Sequence, residues 1–92
     1  MTDKVTIRKP EEGELEELAI DSWGIWEKEV SEFPWEYDEK EIFYVFEGQV
    51  SVELDDGTKV EFGKGDLVEF AQGVKCTWKV HKDIRKAYKF GE

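Results

Sequence analysis

Three ionisable side chains draw attention because each stands among apolar neighbours: Glu41, Cys76 and Lys86. Glu41 opens the run EIFYVF, which is apolar on both alternating faces. A carboxylate walled by Trp35 and Phe43 would hold its proton more tightly than one in water, because burial disfavours the charged form. It could then serve as a general base near neutral pH, or accept a hydrogen bond from a ligand's N–H or O–H. The plainer reading is a strand-end carboxylate held by an Arg or Lys. Cys76 lies between Val74 and Trp78 on an apolar alternation. It reads either as an inert small hydrophobe or as a nucleophile, whose thiolate would need a nearby cation. Lys86 shares a face with Ile84, Tyr88 and Phe90 and is the candidate cation. Turned inward it could also pair with Glu41. At a strand edge it would instead snorkel to water.

Trp35 and Tyr37 allow two readings as well. They are core aromatics, or they supply a stacking wall and a phenolic hydrogen bond for a small planar compound. Tyr88, on the face of Lys86, joins them as a candidate ligand contact. The single histidine, His81, has the solvent-side parity of Lys75, Thr77 and Lys79 and is given no role.

The elements that must position these groups are mostly strands. KVTIR at residues 4–8 makes a first strand. In EEGELEELAI, Leu15, Leu18 and Ala19 recur at helical spacing, and acidic residues favour a helix start; Gly13 weakens it, so one or two turns are expected. SWGIWEKEVSEF reads as one irregular strand with Trp26, Lys28 and Val30 on one parity. FPWEYDEKEIFYVFEG reads as strand, polar turn, strand. In its second strand Phe43 and Val45 lie on the side of Glu41, with Ile42, Tyr44 and Phe46 opposite. Such a strand is covered on both faces, by a second sheet or by a partner subunit. Val50, Val52 and Leu54 alternate next. Asp56-Gly57 is a hairpin signal, and Val60 and Phe62 follow. GKGD and AQG are turns around the strand LVEF. Val74, Cys76, Trp78 and Val80 then alternate against Lys75, Thr77 and Lys79. Short strands with turns at intervals of about eight to twelve residues predict an antiparallel sandwich or barrel.

A chain of 92 residues is long enough for a single domain, here 1–92. Its core leans on four tryptophans, three tyrosines and six phenylalanines. The net charge of −10 argues against nucleic acid and against an anionic membrane surface, both of which demand clustered Lys and Arg. No apolar run approaches the length of a membrane span, and MTDKVTIRKP lacks the apolar core of a signal peptide. One cysteine forms no internal disulfide, so a cytoplasmic location is expected. Asparagine is absent while Lys and Glu are plentiful, a balance that suits a heat-adapted source.

Between residues 23 and 90 the spacing resembles the cupins. Glu41 and Gly48, with six residues between them, reproduce the second half of the first cupin motif, and Trp35 and Tyr37 fall where its two histidines belong. Gly65 and Gly73 match the glycines of the second motif, Ala71 replaces its proline and Cys76 its histidine. More narrowly, GDLVEFAQG and CTWKVHKDIRKAY are similar to small single-domain cupins related to the ureidoglycine aminohydrolase cupin domain. The resemblance implies an all-β fold, a small antiparallel jelly-roll barrel with a short N-terminal helical segment, often dimeric. Typical cupins hold a divalent metal through three histidines and a glutamate. Aminohydrolase-type members use a glutamate, two histidines and a glutamine. Trp35, Tyr37, Glu41 and Cys76 depart from both sets, since an indole N–H only donates. No metal and no other cofactor is therefore expected. The reading that follows is a metal-independent pocket for an unidentified small molecule, with Glu41, Cys76 and Lys86 as catalytic candidates and Trp35, Tyr37 and Tyr88 as ligand contacts. The alternatives are a non-catalytic interaction module whose barrel has filled with side chains, and a metal-dependent ureide enzyme with altered ligands. A homodimer is the expected macromolecular partner, if there is one.

Overall fold

The computed structural model describes residues 4–91. Seven strands form one antiparallel sheet: β1 (Val5–Arg8), β2 (Gly24–Lys28), β3 (Ser31–Glu36), β4 (Glu41–Leu54), β5 (Lys59–Gly63), β6 (Leu67–Phe70) and β7 (Lys75–Phe90). A single short helix, α1 (Glu14–Leu18), and a 3-10 turn (Ile20–Ser22) join β1 to β2. Gly13 caps α1 in the left-handed region at φ 82°, so the residue that argued against a longer helix here starts it.

The two long strands turn the sheet into a closed two-sided structure. Near their outer ends, β4 residues 41–44 lie between β6 and the last part of β7, whose other edge carries β2. Further along, β4 residues 49–53 lie between β5 and the first part of β7, whose other edge carries β3. Register shifts in β4 between Val45 and Val50 mark the bend. Strands that pass from one sheet half to the other through a bulge are how such corners are built. Gly48 sits in the bend at φ 119°, and a Cβ there would lie 2.7 Å from the Ile84 Cα. The bend also reverses the alternation of β4. Glu41, Phe43 and Val45 are buried on odd numbers, Val50, Val52 and Leu54 on even ones.

The two halves close on one core. Phe43, Val45, Val68, Phe70 and Ile84 belong to the same buried cluster as Val50, Val52, Leu54, Phe62, Trp78 and Val80. On the opposite face of β4, Tyr44 pairs with Leu67 and Ala87, both buried outside that cluster, as is Ile20 of the 3-10 turn, which lies against β7. Ile42, Tyr44 and Phe46 themselves are half-buried. The 3-10 turn that carries Ile20 thus packs against β7.

The segment SWGIWEKEVSEF differs from its sequence reading. It forms two strands, β2 and β3, broken at Glu29-Val30, and Val30 is exposed. The Val30 N–H donates to Asp83 Oδ1 at 3.1 Å, which pins the break to β7. Asp56-Gly57 turns the β4–β5 hairpin as expected, with Gly57 at φ 89° and the Thr58 N–H donating to Asp56 Oδ1 at 2.9 Å. No helix among the described residues is long and apolar enough to cross a membrane.

Candidate functional site

Glu41, at the start of β4, and Lys86, on β7, both point inward. Register explains why: Lys86 lies opposite Val45 and Trp26, and two steps further along the same face Glu41 lies opposite Phe90. The lysine stem reaches along the strand toward the open end, and its Nζ meets Glu41 Oε2 at 3.0 Å. Neither group is accessible: Glu41 is 3% exposed and Lys86 4%. Three aromatic rings enclose the ammonium. Its Nζ lies 3.9 Å from the centroid of Phe43, 4.8 Å from Trp78 and 4.9 Å from Trp26.

Burial dominates the ionisation of both groups. It raises the Glu41 carboxyl above the usual range, with the charge and hydrogen bond of Lys86 acting against it. It lowers Lys86, with Glu41 acting in the opposite sense. The two therefore approach each other in proton affinity, because a low-dielectric surrounding penalises each charged form.

A cavity of about 170 Å³ opens beside the pair, lined by Trp26, Trp35, Tyr37, Glu41, Lys86 and Tyr88 together with Phe33, Trp78 and Phe90. Trp35 and Phe90, each 44% exposed, belong to the wall nearest solvent. Tyr37 is fully buried and stacks on Phe70 at 4.6 Å between centroids. Tyr88 crosses its partner Gly24, where a Cβ would come within 2.9 Å of the phenol ring. The absent side chain at Gly24 thus leaves room for that ring.

Two buried polar atoms in the wall lack a hydrogen-bond partner among the described residues: the Tyr37 hydroxyl and the Trp78 indole nitrogen. The Trp78 N–H is near enough to lower the proton affinity of Tyr37, but the pair does not meet the geometry of a hydrogen bond. Burial, followed by the charges of Glu41 and Cys76, raises the Tyr37 hydroxyl well above its normal value, so it stays a neutral donor.

Of the residues singled out in the sequence, Glu41, Lys86, Trp35, Tyr37 and Tyr88 line this one space. Cys76 does not. It is buried opposite Trp35 and Leu54, and its thiol donates to the Trp35 carbonyl at 3.5 Å. Burial is the main cause that pushes the thiol up to about 11, with Asp55 adding to it and Trp78 acting against it. Lys86 is engaged by Glu41 instead of standing beside a thiolate. The expected pairing of Cys76 with Lys86 is therefore not formed. Trp26, Phe33, Trp78 and Phe90 are wall residues that the sequence reading did not assign to the site. The face shared by Lys86, Tyr88 and Phe90 signalled the last of these, and Trp78 shares the inward parity of Cys76. Trp26 is brought in by β2–β7 pairing, which no local pattern reveals. His81 is exposed, with its Nε2 2.7 Å from Ser51 Oγ.

The donors present do not fit the divalent ion typical of cupins. Trp35 offers only an N–H, Cys76 faces away from the cavity, and the Glu41 carboxylate is engaged by an ammonium. Among the described residues no three His, Cys, Asp or Glu side chains converge.

Comparison with known proteins gives a consistent family. The profile of the EutQ-like cupin domain matches residues 15–88. The crystal structure of a DUF861 family protein from Thermotoga maritima is 50% identical, with a TM-score of 0.92, covering 94% of this chain and 98% of that one. The EutQ protein of Clostridium difficile is 27% identical, with a TM-score of 0.68 over 95% of this chain and 67% of that one. A cupin superfamily protein from Desulfitobacterium hafniense, 9% identical with a TM-score of 0.61, covers 100% of this chain and 72% of that one and shares the fold alone. No protein of curated function matches. With a family profile spanning most of its length and a relative half identical to it, this chain belongs to the EutQ-like cupin domain family and has its small jelly-roll fold.

Proposed function

We propose that the cavity is a metal-independent binding site for a small, flat molecule that carries one polar group. The observation that carries this reading is the pair of buried, unpartnered polar atoms in its wall, Tyr37 Oη and Trp78 Nε1. Leaving such atoms unpaired costs about 1–3 kcal/mol each, a cost that a ligand oxygen reaching either of them would offset. The aromatic wall supplies stacking, and Glu41 and Lys86 offer an acceptor and a donor beside it. A cavity of about 170 Å³ matches about the size of a benzene-like molecule. The resemblance to ureidoglycine aminohydrolase-type cupins supports a ureide or other planar amide as the ligand class. Composition and the Thermotoga relative support a heat-adapted source for the same protein.

Three of the four tryptophans, Trp26, Trp35 and Trp78, line the cavity, so intrinsic fluorescence reads occupancy directly. Titration with benzamide, benzyl alcohol and small ureides is expected to give a saturable change with at least one of them. That change should weaken in Tyr37→Phe. No saturable response to any of these compounds, with the protein folded, would reject the reading.

A further inference from the structure

The Glu41–Lys86 pair is built unlike a structural salt bridge. Its lysine is almost wholly buried, borders a cavity and has no second carboxylate nearby in the described structure. Of the groups that could hold it, three are ring faces and one is an acid. We propose that Lys86 is an amine nucleophile that condenses with the carbonyl of a small, apolar aldehyde bound in the cavity, with Glu41 as its proton shuttle. This rests on the cavity being a ligand site and adds the class of ligand and the bond formed.

A proton first passes from Nζ to Glu41 along their 3.0 Å hydrogen bond, leaving an amine and a carboxylic acid. The exchange alters no net charge, and burial already draws the two proton affinities together. The Nζ lone pair then forms a bond to the carbonyl carbon, and the carbonyl π pair moves to oxygen, which takes the Glu41 proton. Glu41 next removes a proton from the new ammonium nitrogen to give the neutral carbinolamine. It returns that proton to the hydroxyl as the C–O bond breaks and water leaves. Aldehyde and lysine ammonium have then become a protonated imine and one water. The imine's positive charge takes the place of the ammonium beside Glu41 and the rings of Phe43, Trp26 and Trp78.

Benzaldehyde with sodium cyanoborohydride at neutral pH tests this, since reduction locks any imine into a stable benzylamine that peptide mass analysis locates. Lys86 is expected to be modified faster than exposed Lys59 and Lys79 by about tenfold or more, because the cavity holds the aldehyde beside its amine. Benzyl alcohol, which fits the same wall but has no carbonyl, should protect Lys86 in the wild-type protein. Glu41→Gln keeps the amine and should slow modification by about 10²-fold, the usual loss when a positioned acid–base group is removed. Circular dichroism checks that this variant is folded, and protection of the wild type reads the site without any variant. If benzyl alcohol perturbs tryptophan fluorescence yet Lys86 stays unmodified while exposed lysines react, the condensation is overturned and the pocket stands. If Lys86 is modified equally fast in folded Glu41→Gln, the shuttle is overturned. If benzyl alcohol neither binds nor protects and Lys86 is inert, both this inference and the pocket reading fall.

Discussion

Lys86 and Glu41 meet at 3.0 Å with both side chains out of water, and the lysine ammonium lies over the face of Phe43. Each partner makes the other tolerable. Removing one leaves a buried group with no counterpart, which typically costs about 3–5 kcal/mol, whereas replacing both by apolar residues is often neutral or stabilising. Lys86→Met and Glu41→Leu should each lower the urea midpoint strongly, and the double variant should recover most of the loss. The coupling energy of this double-mutant cycle is the measurement. Additive losses would mean that the pair is not a unit.

Tyr37→Phe is expected to raise stability or leave it unchanged while weakening ligand binding. Its hydroxyl is buried without a partner among the described residues, so deleting it removes a desolvation cost of about 1–3 kcal/mol and no hydrogen bond within the chain. Thermal melts with and without benzamide separate the two effects.

Trp35→Ala should behave in a complementary way. At 44% exposure the side chain contributes contact area at the cavity's outer wall more than core packing. We expect a stability loss of about 1 kcal/mol, well below the 3–5 kcal/mol typical of a fully buried Trp, together with loss of the fluorescence response to ligand. A loss in the fully buried range would identify Trp35 as core.

Cys76 should resist thiol reagents in the native protein. Burial is the largest cause of its shift from 9.0 up to about 11, so alkylation by iodoacetamide should remain slow at pH 8 and rise only near that higher value. The sign for stability follows from linkage. The unfolded thiol ionises from about pH 9 while the folded one keeps its proton, so this group's contribution is present below that value and is lost as pH climbs toward about 11. Comparing the alkaline stability of wild type with Cys76→Ala checks it.

Much of the architecture was readable from alternation. The burial of Val50, Val52 and Leu54, of Val74, Cys76, Trp78 and Val80, and the Asp56-Gly57 turn follow from side-chain period and turn chemistry alone. Five of the six candidate site residues share one cavity, because inward parity near a strand end is a local property. The break at Glu29-Val30 was not readable, since it depends on an acceptor, Asp83, fifty-three positions away. Neither was the placing of Trp26 against Lys86, which depends on how β2 registers with β7. Cys76 shows the limit of parity: it is buried on the inward face, yet it does not line the cavity and is held against the Trp35 carbonyl.

The glycine at the bend of β4 carries a consequence for how this chain tolerates change. With φ at 119° and the Ile84 backbone 2.7 Å from where a methyl would be, Gly48→Ala should cost several kcal/mol or prevent folding. Upstream of that joint, odd numbers look inward; downstream, even numbers do. Despite the change of parity, 43 and 45 enter the same core as 50, 52 and 54. A single-residue deletion between 46 and 49, however mild its chemistry, would turn one end of the strand inside out.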